Sequence, residues 1–573
     1  MNFSKKITQT LVVILIAGII SLPLTLVSPS EGESVFWMGV SKERLVIFAG
    51  HLLAVLIVAV VFALGVKREY KAALFQRFSK FLNNPTYYPT LRYGLFGVSV
   101  FLSFAFVNFS ILIPQALSAI SGWMVFSAWM LYALFVKLVQ APADFVLVKF
   151  STPFPSWNGL SKIQKRTTLV LLGLGLLYFF LFIPLNLQNS GSRNELNLDE
   201  MLMLPHVEKM LSAQPNLHMV LYRFLVYGDY IYGFPFYGYS ALLLLPGKLL
   251  FGQGYVDHLQ LNMLLLRQFA NVLPAVLSCF IISWLATHFK NFWVSVMVFV
   301  ILLTLPGMTG INNAFWHSDA INLLFITLTL FYLNRDQFKF GPNFYFAAIT
   351  CGASIATRLF GVFFFLTIGS LLGAGVIKKV LTPRKALISG LLFIVLMVGA
   401  ILISNPYTFS PGELNAAKAT FEHRQSVLAN GIDEPDPEHI YRTGLDAWWP
   451  FFTRDYGNGV TLAFLSISAV IGALGKKRKS YYGALLAWLM VIGTYLIGFV
   501  LVKSPWYILP FLIPLYGGAM AISDNLESVL EKLRINPTSA LITKIGLFAL
   551  MSALGLIQFV QNLLTLIPVF LTS

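Results

Sequence analysis

The sequence predicts an all-α, polytopic membrane protein with about fifteen transmembrane helices. Three observations predict this class. Of the 573 residues, 57% are hydrophobic and only 11% are charged; long apolar stretches recur along the chain; and basic residues collect in alternate loops. About 25% of the residues in a soluble domain are charged, so this chain has too few to cover a soluble surface. The composition therefore excludes a soluble enzyme and a disordered protein.

The predicted spans follow from length and hydropathy. A transmembrane helix needs about 20 apolar residues, or fewer where neighbouring helices shield it. On this criterion, spans are expected near 8–28, 46–66, 93–114, 119–140, 168–186, 264–287, 291–308, 314–333, 343–357, 359–376, 386–404, 459–474, 480–500, 505–522 and 546–570. The first lacks a good small-x-small cleavage site, so we interpret it as an uncleaved anchor.

The orientation follows from Lys and Arg in the loops. One set of loops carries 26 basic residues and six acidic ones, and the positive-inside rule assigns this set and the N-terminus to the cytoplasm. Residues 236–251 are apolar enough for another span, but that span would put Lys290, Arg335 and the 378–385 cluster outside. We therefore predict that 236–251 form an interfacial helix on the outer leaflet, interrupted at Pro246-Gly247.

With this topology, the protein is expected in a cell membrane (inner or plasma), and its long loops, 187–263 and 405–458, lie outside. The outer face carries 18 of the 24 carboxylates. The formal net charge of +16 is then a basic inner rim and a mildly acidic outer face. The charge therefore says nothing about nucleic acid, and the expected partners are membrane lipids and not nucleic acid. Long polar loops on one face indicate an active site on the outer face.

An acidic pair, Asp199 and Glu200, follows directly after a predicted span, in the segment NELNLDEMLMLPHVEKML. A carboxylate at the bilayer boundary is partly desolvated, which raises its basicity and suits a catalytic base. The alternative is an acidic first turn that the helix dipole favours.

A third acidic candidate, Asp319, lies near the outer end of a span in INNAFWHSDAINLLF. An ionisable group at membrane depth is costly and points to function, whereas a residue just before an apolar run also suits a helix cap. The neighbouring His317 is either part of an acceptor or donor site or a hydrogen-bonded interface histidine.

Three cations, Arg267, Arg358 and Lys503, lie at the outer mouths of spans, where the positive-inside rule disfavours basic residues. Arg binds a phosphate through two parallel hydrogen bonds and Lys binds it as a point charge. They would suit a lipid-linked phosphate or diphosphate, and the alternative is that each side chain extends to the outer headgroups.

The remaining motifs give fewer indications of function. The loop 405–458 is rich in Pro and aromatic residues and reads as an ordered lid. Cys279 and Cys351 lie in apolar runs and are expected to pack there. The chain has no P-loop, HExxH or CxxC motif, so nothing indicates ATP hydrolysis or a zinc site, and no metal ligands are predicted.

Taken in order, these segments resemble the GT-C superfamily of membrane glycosyltransferases. The acidic pair after a span is followed by YGFPFYGYSALLLLPGKLLFG, a span headed by Arg267, the outer Asp319, ATRLFG at 356–361 and KSPWYILPFLIPLY at 503–516. The likeness is greatest to protein O-mannosyltransferases and aminoarabinose-type transferases, and it covers 168–573. Residues 1–167 would be an additional four-helix module. The WW…RDYG stretch at 448–457 departs from the WWDYG signature of oligosaccharyltransferases, because its aspartate is separated from the tryptophans.

The resemblance implies transfer of a sugar from a polyprenyl-phosphate donor to a glycan, lipid or protein acceptor, with inversion at the anomeric carbon. Asp199, with Glu200 beside it, would be the catalytic carboxylate. Arg267, Arg358 and Lys503 would bind the donor phosphate, and Asp319 would shape the acceptor or donor site. No cofactor is required by the resemblance, although a divalent cation is compatible with it.

Two other classes of function remain open. A secondary transporter or lipid-linked glycan flippase uses charged residues within its spans and often has internal repeats; here the carboxylates lie outside or at span mouths and no repeat is evident. A glycan polymerase or ligase would share the charged outer face and differ only in its acceptor.

Overall fold

The computed structural model describes residues 35–37, 40–65, 88–112, 124–125, 127–133, 157–215, 217–430, 442–475, 477–532 and 537–571, together with positions 14, 17, 18 and 21. Most of the predicted span 8–28 and most of the predicted span 119–140 lie outside the described residues.

Helices make up nearly all of the described structure. In the N-terminal part these are α1 (Lys42–Gly65) and α2 (Tyr88–Leu112), preceded by a short antiparallel pair, β1 (Val35–Trp37) and β2 (Val40–Ser41). This pair is a small departure from the predicted all-α class. The described residues form two compact units: one within 1–151 that also includes 406–411, and one comprising 152–405 and 412–573.

The second unit contains all of the candidate site residues. Its helices up to residue 336 are α3 (Lys162–Leu187), α4 (Leu198–Met210), α5 (Leu217–Leu225), α6 (Phe234–Phe251), α7 (Leu259–Leu266), α8 (Leu273–Thr287), α9 (Phe292–Thr304), α10 (Pro306–Asn312) and α11 (Asp319–Asp336). Those that follow are α12 (Pro342–Arg358), α13 (Phe364–Ile377), α14 (Pro383–Ser404), α15 (Pro411–Asn430), α16 (Leu445–Asp455), α17 (Gly459–Leu474), α18 (Lys479–Phe499), α19 (Pro505–Leu515), α20 (Ala521–Lys532) and α21 (Pro537–Leu571).

Seven helical segments of the described chain are long and apolar enough to cross a membrane, and there are nine if each of two bent helix pairs is one span. The bent pairs are α9 with α10, at 57°, and α16 with α17, at 104°. These helices are compatible with a membrane protein, but the predicted number of about fifteen spans is not confirmed. Several of the shorter predicted spans, such as 314–333 and 343–357, are helices that pack in the interior of the unit.

The segment predicted to lie on the outer leaflet is the single helix α6. The predicted interruption at Pro246-Gly247 is wrong, because the helix continues through Pro246 to Phe251. Proline removes one backbone hydrogen bond from a helix but does not always end it. Together with Gly252–Asp257, α6 is one of the seven segments that could span by length and composition.

Between α7 and α8 the chain forms one turn of π-helix, Arg267–Val272. A π-turn inserts an extra residue into a helix, and such turns occur frequently at functional sites. Arg267 and Asn271 lie on this turn, and both side chains are fully buried. The turn therefore positions polar side chains inside an otherwise apolar helical segment.

Candidate functional site

The acidic pair begins α4, where it forms a capping box. The Asn197 side chain accepts a hydrogen bond from the Asp199 N–H (3.1 Å), and Glu200 Oε2 accepts one from the Asn197 N–H (3.3 Å). Such reciprocal bonds satisfy N–H groups that a helix start leaves unpaired. Because neighbouring helix positions face different directions, Glu200 is fully buried, whereas the Asp199 side chain remains 37% exposed.

Buried Glu200 forms a bidentate ion pair with Arg267. Arg267 Nε donates to Oε1 at 2.8 Å and Nη2 donates to Oε2 at 2.6 Å. The guanidinium also donates to three carbonyl groups at the C-terminal end of α3 and just beyond it, namely those of Asn186 (2.9 Å), Gln188 (2.8 Å) and Asn189 (3.3 Å). All five N–H groups of Arg267 are thus engaged by the protein. In this arrangement Arg267 joins α3, α4 and the π-turn, and it has no donor left for a phosphate.

The loop that connects α10 to α11 carries the candidate histidine. Three of its backbone N–H groups donate to side chains: Ala314 to Asn186 (2.8 Å), Trp316 to Glu200 (2.6 Å) and His317 to Asn271 (3.0 Å). Ala314 adopts a positive φ of 48°, a conformation that is uncommon for residues other than glycine. Buried polar side chains therefore hold this loop and with it His317.

His317 lies at the centre of a polar cluster. Its Nδ1 contacts the Asp319 carboxylate, and its Nε2 lies against the Tyr232 hydroxyl. The same Nε2 is 3.7 Å from Asp199 Oδ2. The imidazole also stacks on Phe315, with ring centroids 5.0 Å apart and planes 15° apart. Asp199 and Asp319 thus lie at opposite nitrogens of one fully buried ring.

The cluster continues from Asp319 to Arg358. Asp319 is the first residue of α11 and Arg358 is the last residue of α12, and Arg358 Nη1 donates to Asp319 Oδ1. The guanidinium carbon lies 4.8 Å from the ring centroid of Tyr507 and 5.6 Å from that of Tyr232. Cations over aromatic faces are stabilised by the ring quadrupole. Four predicted residues, Asp199, His317, Asp319 and Arg358, therefore form one continuous cluster.

A close backbone approach positions Tyr232. The next residue, Gly233, donates its N–H to the Thr357 carbonyl (3.1 Å). A Cβ on Gly233 would lie 1.5 Å from the Ala356 carbonyl oxygen, so only glycine fits this contact. The side chain of Asn405 bridges the two segments, accepting from the Phe234 N–H and donating to the Ala356 carbonyl.

The hydrogen bonds described for Lys503 go to backbone carbonyls and not to the residues of this cluster. Its Nζ donates to the carbonyls of Arg442 (2.6 Å) and Leu501 (3.1 Å) and lies 5.6 Å from the centroid of the Trp448 ring. Burial lowers the pKa of Lys503, and the nearby Asp446 opposes that effect. Three residues further on, Trp506 packs against Phe315, with centroids 5.3 Å apart. The segment 503–506 thus brings an aromatic ring, rather than the ammonium group, to the His317 loop.

Four further residues belong to this region and were not singled out as site residues from the sequence: Tyr232, Arg424, Trp506 and Tyr507. Each lies within a segment that the sequence analysis noted, but short motifs do not show which side chain faces which neighbour. Arg424, on α15, donates through Nη2 to the Tyr507 hydroxyl at 2.9 Å. The signal that was overlooked is that Arg424 is the single arginine of α15, within the polar segment 405–458.

The charged residues of the site act on the pKa of Tyr232, which lies in the loop between α5 and α6. Burial raises its pKa well above the ordinary value, so the hydroxyl stays protonated. Arg358 and Arg424 act in the opposite direction, and Asp199 and Asp319 act in the same direction as burial. These four charges therefore lie within electrostatic range of one phenol.

Within the described part of the chain, no group of three or more His, Cys, Asp or Glu side chains is arranged to hold a metal ion. No protein-family model matches the chain, and no curated protein matches it significantly.

Proposed function

We propose that this chain is an integral membrane glycosyltransferase that moves a sugar from a polyprenyl-phosphate-linked donor to an acceptor on the outer face of the membrane. The supporting observation is the chain of contacts that runs from Asp199 through His317 and Asp319 to Arg358. It combines a partly exposed carboxylate with a cation at the far side of a buried imidazole. Glycosyl transfer needs both a base for the acceptor and a cation for the leaving phosphate.

In this proposal Asp199 is the base. It accepts the proton of the acceptor hydroxyl as the oxygen attacks C1 of the sugar. The bond between C1 and the phosphate oxygen breaks, its electron pair goes to the phosphate, and the configuration at C1 inverts. Asp199 suits this role because its side chain is 37% exposed and carries no arginine partner among the described residues, in contrast to Glu200.

Arg358 stabilises the charge that develops on the leaving phosphate. It contacts Asp319, which lies at the imidazole nitrogen opposite to the one that faces Asp199. His317 and Asp319 position the two ends, and Trp506 offers an aromatic face for the sugar ring. Glu200 and Arg267 hold the start of α4 and the His317 loop, so we assign them to positioning.

The broadest test compares cells with and without this protein. Mass spectrometry of lipid-linked sugars and envelope glycans should show a donor that accumulates and a glycosylated glycan, lipid or protein that disappears when the protein is removed. A lipid-linked sugar that merely changes leaflet, with no change in glycosylation by the purified protein, would favour a flippase. A product that grows by whole glycan units would favour a polymerase or ligase.

The sharper test is Asp199→Asn, which keeps the shape of the side chain and removes its basicity. We expect transfer by the purified protein to fall by about 100-fold or more, in line with the loss of general base catalysis. Asp257→Asn, at another exposed carboxylate of the same loop, is the matched control and should keep full activity. Full activity of Asp199→Asn would disprove the role of this residue.

A further inference from the structure

Arg424 differs from the other arginines around the site because its described partner is neutral. It lies on α15, is half-buried, and its described hydrogen bond goes to the phenol oxygen of Tyr507 at 2.9 Å. Within the described residues it forms no ion pair. A partly desolvated cation without a counter-charge is costly. Such a cation is therefore expected to meet an anion that the described protein does not supply.

The number of engaged N–H groups separates the three arginines. All five N–H groups of Arg267 are bonded to protein acceptors, with a carboxylate among them. In the described structure Arg358 uses one hydrogen bond, to Asp319, and Arg424 uses one, to Tyr507. Arg358 and Arg424 therefore retain donors that can bind a ligand, and Arg267 does not.

Arg358 and Arg424 meet at a single side chain. The Arg358 guanidinium carbon lies 4.8 Å from the centroid of the Tyr507 ring, and Arg424 bonds to the hydroxyl of that ring. Asp319 neutralises Arg358 in advance, so Arg424 supplies the net positive charge of the pair. A second contact holds the beginning of α15 near the site, since the Tyr230 hydroxyl donates to Glu413.

We propose that Arg358, at the Tyr507 ring, and Arg424, at the Tyr507 hydroxyl, form a binding site for a phosphate or diphosphate group. The inference rests on the proposed function in taking that group to be the phosphate of the lipid-linked donor. The neutral phenol between the two cations lets both guanidinium groups turn toward one anion.

The test measures binding of undecaprenyl phosphate and of undecaprenol to the purified full-length protein in detergent. Arg424→Gln should weaken binding of the phosphate about 10- to 100-fold, the range expected for a charge-assisted hydrogen bond, and leave binding of the alcohol unchanged. Arg424→Lys, which keeps the charge, should recover part of the affinity. Lys418→Gln is the matched control, because Lys418 is an exposed cation on the same helix, 3.8 Å from Glu422.

Equal phosphate binding by Arg424→Gln and the unaltered protein would overturn the proposal. So would equal loss of phosphate and alcohol binding, which would indicate that Arg424 only packs α15. Titration with inorganic diphosphate distinguishes the sources of the anion: displacement of the lipid with the same dependence on Arg424 assigns recognition to the phosphate alone, and no displacement assigns it to the lipid-linked group. If Asp199→Asn kept full transfer but Arg424→Gln still lost phosphate binding, the catalytic assignment would fail and the phosphate site would stand.

Discussion

At the scale of single residues, Glu200 and Arg267 form an ion pair in which both side chains are fully buried. The desolvation cost of burying two charges is offset only when all their hydrogen bonds are satisfied. Removing one partner leaves an unpaired charge in the interior. This pair also receives the Trp316 N–H, so it supports the loop that carries His317. Its contribution is therefore to stability and to the position of the histidine.

We expect Arg267→Gln to destabilise the protein by about 3–5 kcal/mol, because Glu200 then loses its buried partner. Thermal unfolding of the detergent-solubilised protein measures the change. The control is Arg193→Gln, which breaks the Arg193–Glu208 pair at the surface, where the arginine side chain is 47% exposed; its effect should be at most about 1 kcal/mol. Equal losses for the two variants would show that the buried pair has no special role.

At the scale of elements, the loop between α5 and α6 docks on the C-terminal end of α12. The contact depends on Gly233, whose missing Cβ makes room for the Ala356 carbonyl. The docking brings Tyr232 to His317 and Arg358. The relative position of two helices that are distant in sequence thus depends on one glycine.

Gly233→Ala should displace this loop and separate Tyr232 from His317, with a loss of transfer activity of about tenfold or more and a lower unfolding temperature. An alanine methyl at Gly310, by contrast, would meet no atom within 4 Å. Gly310→Ala is therefore expected to leave both activity and unfolding unchanged. If Gly233→Ala were as active and as stable as Gly310→Ala, the close contact would not position the site.

At the scale of the whole molecule, the charge asymmetry predicts that loops 187–263 and 405–458 face outward. The clustered residues lie in three places. Asp199 is in the first loop, Asp319 and Arg358 are at the ends of α11 and α12, and Arg424 is on α15 in the second loop. If the topology prediction holds, every one of them is at the same face. A base and a phosphate site on the outer face would then require the donor to be presented there.

Labelling with a membrane-impermeant maleimide tests this topology. Asp257→Cys, at an exposed position, should react in intact cells, whereas Lys385→Cys should react only after permeabilisation. The native Cys279 and Cys351 are buried and unpaired, so they should give little background. Reaction of Lys385→Cys in intact cells, with protection of Asp257→Cys, would invert the orientation and move the site to the cytoplasm.

The sequence by itself determined the helical, apolar character of the chain and pointed to Asp199, His317, Asp319 and Arg358. These properties can be read locally, because hydropathy, charge and the position of an ionisable group at the end of an apolar run need no knowledge of the fold. The number of spans was predicted from local hydropathy too. Short apolar helices in a packed interior have the same hydropathy as spans, so hydropathy alone does not distinguish the two kinds of helix.

Only the tertiary structure decided which of these residues hold the fold and which can meet a ligand. Adjacent Asp199 and Glu200 are alike in sequence, yet one is partly exposed and the other binds Arg267, 67 positions away. Arg424 meets Tyr507 across 83 positions. The physical reason is that hydrogen bonds and desolvation depend on what packing brings together, and packing joins helices that no local pattern relates.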